Sequence, residues 1–235
     1  MSSHRRSQAR SEDRTQDPNQ AGNKAESGVS GRPIAGRKGS SKASSKASTR
    51  GSRTGTLVPT PLAEPPYRIV FVCTGNICRS PMAEVITRSL AGATKLGDGM
   101  TMAKHLDVCS AGTAPWHEGE PMHPLAAQAL ARGGYPPDEH EARQFTTSDI
   151  GHFDLIVTLD RRHRQTLRGL GVDPDRLFML RSFDPQAGAA ADVPDPYYGD
   201  EIVFDQCRDM IAASCRGLVD SLLEQWDALW PTSEA

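Results

Sequence analysis

The sequence predicts an α/β protein: a single open, mainly four-stranded parallel sheet with helices on both faces, preceded by a disordered tail. Three observations carry the prediction. Four short apolar runs, at 69–72, 106–110, 154–159 and 177–180, are separated by stretches with helical spacing. Strands that alternate with helices are joined by crossovers, which makes the sheet parallel. The first run, Ile69 to Val72, lacks any polar alternation and is β-branched, the pattern of a strand buried on both faces.

At 235 residues the chain has room for one ordinary domain and an appendage. Residues 1–60 hold 12 Lys/Arg, 4 Asp/Glu and 12 Ser, so a segment of charge +8 precedes a body in which 15 basic side chains meet 25 acidic ones. The formal net charge of −2 hides this asymmetry. Residues 1–64 are too poor in apolar side chains to offset their ordering entropy and are expected to be a disordered tail, with the domain at 65–232. Ser40-Ser41-Lys42-Ala43 is repeated as Ser44-Ser45-Lys46-Ala47, a low-complexity echo. A basic arm for nucleic acid or anionic membrane is one reading and a passive tail the plainer one; no nucleic-acid partner is firmly indicated. Pro59, Pro61, Pro65 and Pro66 stiffen the junction. Five cysteines without a regular framework fit a reduced, cytoplasmic protein rather than a stapled secreted one. No apolar run is long enough to span a bilayer.

The elements follow in order. Pro81 stands at the start of a helix expected over 81–91, with Met82, Val85, Ile86 and Leu90 on one face and Gly92, Gly97 and Gly99 breaking it. Residues 92–105 read as a loop. The second strand leads through Ser110 and Gly112 to Trp116, either a wall for a ring-shaped substrate or a core residue. A short Ala/Leu helix covers 124–132 and stops at Gly133-Gly134. Thr146-Thr147-Ser148-Asp149 is a capping cluster for a helical turn. The third strand ends at Asp160, and a helix with Arg161, Arg162, Arg164 and Arg168 follows, a charge pattern that most often marks a solvated face. Pro194 and Pro196 keep 192–199 out of helix and strand. The last helix covers 201–229, with Val203, Cys207, Met210, Ile211, Leu218, Leu222, Trp226 and Leu229 at helical spacing and Cys207 and Cys215 in the core.

Between the first strand and the first helix lies the chemistry. Cys73 and Arg79 bracket a loop with C-x5-R spacing. Successive N–H groups and the positive end of a helix dipole form an anion nest there, and the Arg79 guanidinium can grip two oxygens. Gly75 permits close backbone approach and Asn76 tolerates left-handed geometry. A phosphate-sized dianion is the natural occupant, and the same field favours the thiolate of Cys73. A bare C-x5-R is more often a small buried Cys; the strand before and the helix after set this one apart. A thiolate in such a nest attacks phosphorus and forms a phosphocysteine that water hydrolyses, with no metal or cofactor required. The leaving oxygen needs a proton, and Asp160, Asp192, Asp195 and Asp200 are all candidates to supply it.

The run Cys73-Thr74-Gly75-Asn76-Ile77-Cys78-Arg79-Ser80-Pro81 resembles the phosphate-binding loop of low-molecular-weight protein tyrosine phosphatases, bacterial members in particular. The resemblance covers about residues 67–229, through Trp116-His117-Glu118-Gly119, His140-Glu141-Ala142-Arg143-Gln144 and Asp195-Pro196-Tyr197-Tyr198-Gly199. It implies the phosphotyrosine phosphatase I-like fold and hydrolysis of phosphotyrosine on protein substrates by a protein expected to be a monomer. By the same resemblance Cys73 is the nucleophile, Arg79 holds phosphate, and Asp195 is the general acid and then base. Thr74, Gly75, Asn76, Ile77, Cys78 and Ser80 bind phosphate or tune the thiolate. Trp116, Tyr197 and Tyr198 flank the substrate ring, and Asn76 and Ser110 hold the loop in shape. Family members can also protect the nucleophile by pairing it with the second loop thiol, here Cys78.

Three rivals remain. An arginine phosphatase of the same family tends to carry Thr where Ile77 stands. An arsenate reductase would need a downstream cysteine relay, and no C-x6-C pair exists here. An inactive phospho-ligand binder would not need every reactive residue present.

Overall fold

The computed structural model describes residues 56–188 and 191–229. Its four strands, β1 (Tyr67–Cys73), β2 (Leu106–Gly112), β3 (Leu155–Thr158) and β4 (Leu177–Met179), form one sheet in the order β2-β1-β3-β4, parallel throughout. β1 lies inside the sheet with a core against each face, which is why it tolerates no polar alternation. Ile69 and Phe71 enter the larger core, while Val70 and Val72 enter the smaller one on the opposite face.

Helices α1 (Arg79–Ala93), α2 (Pro124–Arg132) and α4 (Glu201–Leu229) cover the larger core with Met82, Ile86, Leu130, Phe204, Ile211 and Leu222. Helix α3 (Arg161–Gly169) covers the other face through Leu167, with Phe145, Phe153 and Val172 beside it. The register pairs Cys73 with Gly112 and Val72 with Thr158, so three strands end level. From β1 the chain crosses to one side for β2 and to the other for β3. The crevice beyond those carboxyl ends is where an open sheet of this kind places a ligand.

Several element boundaries differ from those expected. Helix α1 starts at Arg79, two residues early, and runs through Gly92 to Ala93. One interior glycine costs a helix only about 1 kcal/mol, too little to end it. The stop comes at Thr94, whose extended backbone returns its N–H to Leu90 O and Ala91 O. Residues 92–105, expected as a loop, include a bridge between Lys95 and Thr101 and a turn, Met102–Lys104, that buries Met102. Val203 is partly exposed rather than on the buried stripe of α4, and Trp116 is 73 % exposed, which excludes a core role. The cluster at 146–149 forms the expected turn, with a reciprocal cap between Thr146 and Asp149.

The expected tail also ends sooner than residue 64. Its stretch 1–55 lies outside the described residues. Residues 56–64 lie against the domain: Val58 is buried, its N–H donates to Gln225 Oε1 (3.2 Å), and Thr56 Oγ1 donates to Ser182 O (2.7 Å). Asp154 Oδ1 accepts from Leu62 N, and Tyr67 Oη donates to Pro59 O. Composition missed this because a strap held by backbone hydrogen bonds needs few apolar side chains.

Candidate active site

The loop from Cys73 to Arg79 sits at that crevice, and its shape follows from a few side chains. Asn76 takes a left-handed φ of 58°. Its amide is fully used: Nδ2 donates to Ser80 Oγ (3.0 Å) and Ser110 Oγ (2.8 Å), and Oδ1 accepts from Arg143 N (2.9 Å). His140 Nε2 donates to Asn76 O (2.6 Å), and Ser110 Oγ donates to Glu84 Oε2 (2.6 Å). On the far side Gly112 lets the loop lie flat, since a Cβ there would meet Thr74 O at 2.6 Å. So braced, the N–H groups of Gly75, Ile77, Cys78 and Arg79 find no acceptor among the described residues, which leaves them free for an anion.

Cys73 Sγ, almost wholly buried, lies 3.0 Å from Ser80 Oγ and accepts from Asn76 N at 3.3 Å. A thiolate there takes both as donors. Burial, and then the neighbouring Cys73 sulfur, push the Cys78 thiol far above the ordinary thiol range, so the second loop sulfur stays protonated. Burial likewise pushes Cys207, whose thiol points at Pro194 O, up to about 12.

Arg79 is 3 % exposed and held on all sides. Its NH1 donates to Asp160 Oδ2 (3.0 Å) and Val193 O (3.1 Å); its NH2 donates to Asp195 Oδ2 (2.6 Å) and more weakly to Thr74 Oγ1 (3.4 Å). Val193 is fully buried and donates its N–H to Leu159 O (2.8 Å), which pins the Pro-rich loop to the end of β3. Asp195 therefore hangs over the nest with half of its side chain in solvent.

Of the four candidate acids, Asp195 alone lines the mouth. Asp160 caps α3 through His163 N and braces Arg79, Asp192 pairs with Arg161, and Asp200 accepts from Val203 N at the start of α4.

The mouth is a cavity of about 340 Å³ lined by Cys73, Thr74, Gly75, Ile77, Cys78, Arg79, Trp116, His117, Asp195, Tyr197 and Tyr198. Asn76, Ser80 and Ser110 stand behind it as supports. His117 is the wall residue that sequence reasoning missed. It packs against the bare Cα of Gly75, is fixed by Glu120 (2.7 Å), and faces the Tyr197 ring with 6.0 Å between centroids.

His163 was also missed, and no spacing could have found it. It is buried under the loop with Nε2 2.8 Å from Thr74 Oγ1 and Nδ1 3.1 Å from Asp160 Oδ1, off the line of a good hydrogen bond. The carboxylate favours the Nδ1–H tautomer, which leaves Nε2 to accept the Thr74 hydroxyl. Burial outweighs Asp160 and pushes the ring down to about 4, so it is neutral at pH 7.

A cysteine in an anion nest, an arginine beside it and a carboxylate facing them across a ring-sized slot form an arrangement suited to hydrolysis of a phosphomonoester. The chain belongs to the low-molecular-weight phosphotyrosine protein phosphatase family, whose model matches residues 68–228. A low molecular weight protein-tyrosine-phosphatase of Streptomyces coelicolor is 46 % identical over 164 residues, 68 % of this chain and 95 % of that one. The crystal structure of a protein tyrosine phosphatase from Entamoeba histolytica superimposes with a TM-score of 0.61 at 28 % identity, covering 68 % and 99 % of the two chains. The arginine phosphatase YwlE of Bacillus subtilis matches with a TM-score of 0.57 at 29 % identity over 69 % and 99 %. The protein is thus a cysteine-dependent hydrolase of the low-molecular-weight protein phosphatase family.

Proposed function

We propose that Cys73 is the nucleophile, Arg79 the phosphate clamp and Asp195 the general acid and base of protein phosphotyrosine hydrolysis. A phosphate dianion in the nest takes over one face of Arg79, now shared with Asp195 at 2.6 Å. Displaced, the carboxyl is free to turn to the leaving oxygen and hand its proton to the departing phenolate. Cys73 Sγ bonds to phosphorus as the P–O bond to the ring breaks, and the equatorial oxygens rest on the loop amides and Arg79. Asp195, left as the carboxylate, then takes a proton from water as that water displaces the sulfur. Ser80, donating to the departing thiolate, makes it a better leaving group.

The single observation that carries the reading is the convergence of Cys73, Arg79 and Asp195 on one mouth walled by Trp116, Tyr197 and Tyr198. Ile77, 6 % exposed in that wall, supports an aromatic over a guanidino substrate. We place the protein in a reducing, cytoplasmic setting as a monomer, in keeping with five free thiols. The test compares phosphotyrosine, phosphoserine and phosphoarginine peptides and p-nitrophenyl phosphate. Cys73→Ser is expected to abolish turnover, and Asp195→Ala to lower kcat by about 10²–10⁴-fold with an altered pH profile. Phosphoarginine as the best substrate, or turnover surviving in Cys73→Ser, would overturn the reading.

A further inference from the structure

The arginines of α3 take no part in this chemistry, and they run against the charge of the body that carries them. Residues 61–235 hold 15 basic and 25 acidic side chains, yet four of the basic ones fall within 161–168. Arg161, Arg164, Gln165 and Arg168 share one helical face and line a groove of about 370 Å³. The opposite stripe, His163 and Leu167, is buried. Asp192 neutralises Arg161 at 2.9 Å. Among the described residues, Arg162, Arg164 and Arg168 have no carboxylate within ion-pair distance, and Arg164 Nε is buried without an acceptor. Unpaired like charges on neighbouring turns repel, and an anionic partner relieves that cost.

The helix that carries the groove starts beside the mouth. Asp160, just before the helix, grips Arg79, and Arg161 N–H donates to Asp192, three residues before Asp195. From Arg161 to Arg168 the helix rises about 10 Å, and an extended peptide advances about 3.3 Å per residue. We propose that this groove binds acidic side chains of the phosphoprotein substrate, about three to six residues from the phosphotyrosine. The proposal rests on the assignment of the mouth to phosphotyrosine. It supplies the selectivity that a slot sized for one ring lacks, because a second contact on the same peptide multiplies the first.

The experiment compares phosphotyrosine peptides carrying Asp and Glu three to six residues before or after the phosphotyrosine with the same peptides carrying Asn and Gln. For one of the two placements kcat/KM is expected to favour the acidic peptide by about five- to tenfold at low ionic strength, with the preference fading at high salt. Arg164→Glu/Arg168→Glu is expected to lose or invert that preference while p-nitrophenyl phosphate turnover stays within about twofold of wild type. Equal rates on acidic and neutral peptides, or a preference that survives the double substitution, overturn the proposal. Failure of the wild type on p-nitrophenyl phosphate would instead sink the phosphatase assignment. Fluorescence anisotropy with the unphosphorylated acidic peptide still reads the groove in that case: salt-sensitive binding lost in the double variant supports it, and no binding refutes it. Binding of nucleic acid or anionic vesicles that the double variant abolishes, without any peptide preference, would also show the occupant to be wrong.

Discussion

His163 has two consequences at the scale of single residues. As the acceptor for Thr74 it closes a ring, Arg79 to Asp160 to His163 to Thr74 and back, that fixes the plane of the guanidinium. Because burial pushes its ring from 6.5 down to about 4, the unfolded chain takes up a proton that the folded one refuses between those values. Stability therefore falls as pH drops from 6.5 toward 4. His163→Asn is expected to flatten that slope, read as denaturant midpoints at several pH values; equal slopes would count against it. Cys78 gives the second prediction. Peroxide turns the Cys73 thiolate to a sulfenic acid, and a Cys78 thiol attacking that sulfur expels water and forms a disulfide that added thiols reduce. Cys78→Ser should leave activity lost to peroxide several-fold harder to recover with dithiothreitol.

Among the elements, α4 shows how packing reverses a propensity argument. Gly217 sits in mid-helix, where Ala would ordinarily stabilise by about 1 kcal/mol. Here a Cβ would lie 1.9 Å from Phe183 O, in the backbone of the turn Leu180–Phe183 that α4 packs against. Gly217→Ala is expected to destabilise by about 2–4 kcal/mol, seen as a lowered thermal midpoint. An unchanged or higher midpoint would mean that the turn yields without cost. The loop-to-helix joint was legible because Cys73, Gly75, Asn76 and Arg79 each have one physical reason to be there. The exact start of α1 was not, since Arg79 serves as both loop clamp and first helical residue.

Across the whole molecule, Asp154 ties the 56–64 strap to the sheet. It is 1 % exposed and accepts from the N–H groups of Leu62 and Arg68. Asp154→Ala leaves both donors unpaired and is expected to cost about 2–4 kcal/mol in urea denaturation, with p-nitrophenyl phosphate turnover at low denaturant little changed. A loss below about 0.5 kcal/mol would mean that water replaces the carboxylate. Nothing in the composition of 56–64 announced this attachment, because its partners Asp154, Ser182 and Gln225 are about 90 to 170 positions away.

Local physics alone determined the alternation of strands and helices, the parallel sense of the sheet and the nest between Cys73 and Arg79. Those depend on periodicity, backbone freedom and spacing within a few residues. Tertiary structure decided everything that needed distant segments to meet: which of four aspartates faces the nest, the His117 wall, the His163 brace and the docking of the strap. The reason is that contact between residues far apart in sequence is set by how the whole core closes, and no short window carries that information.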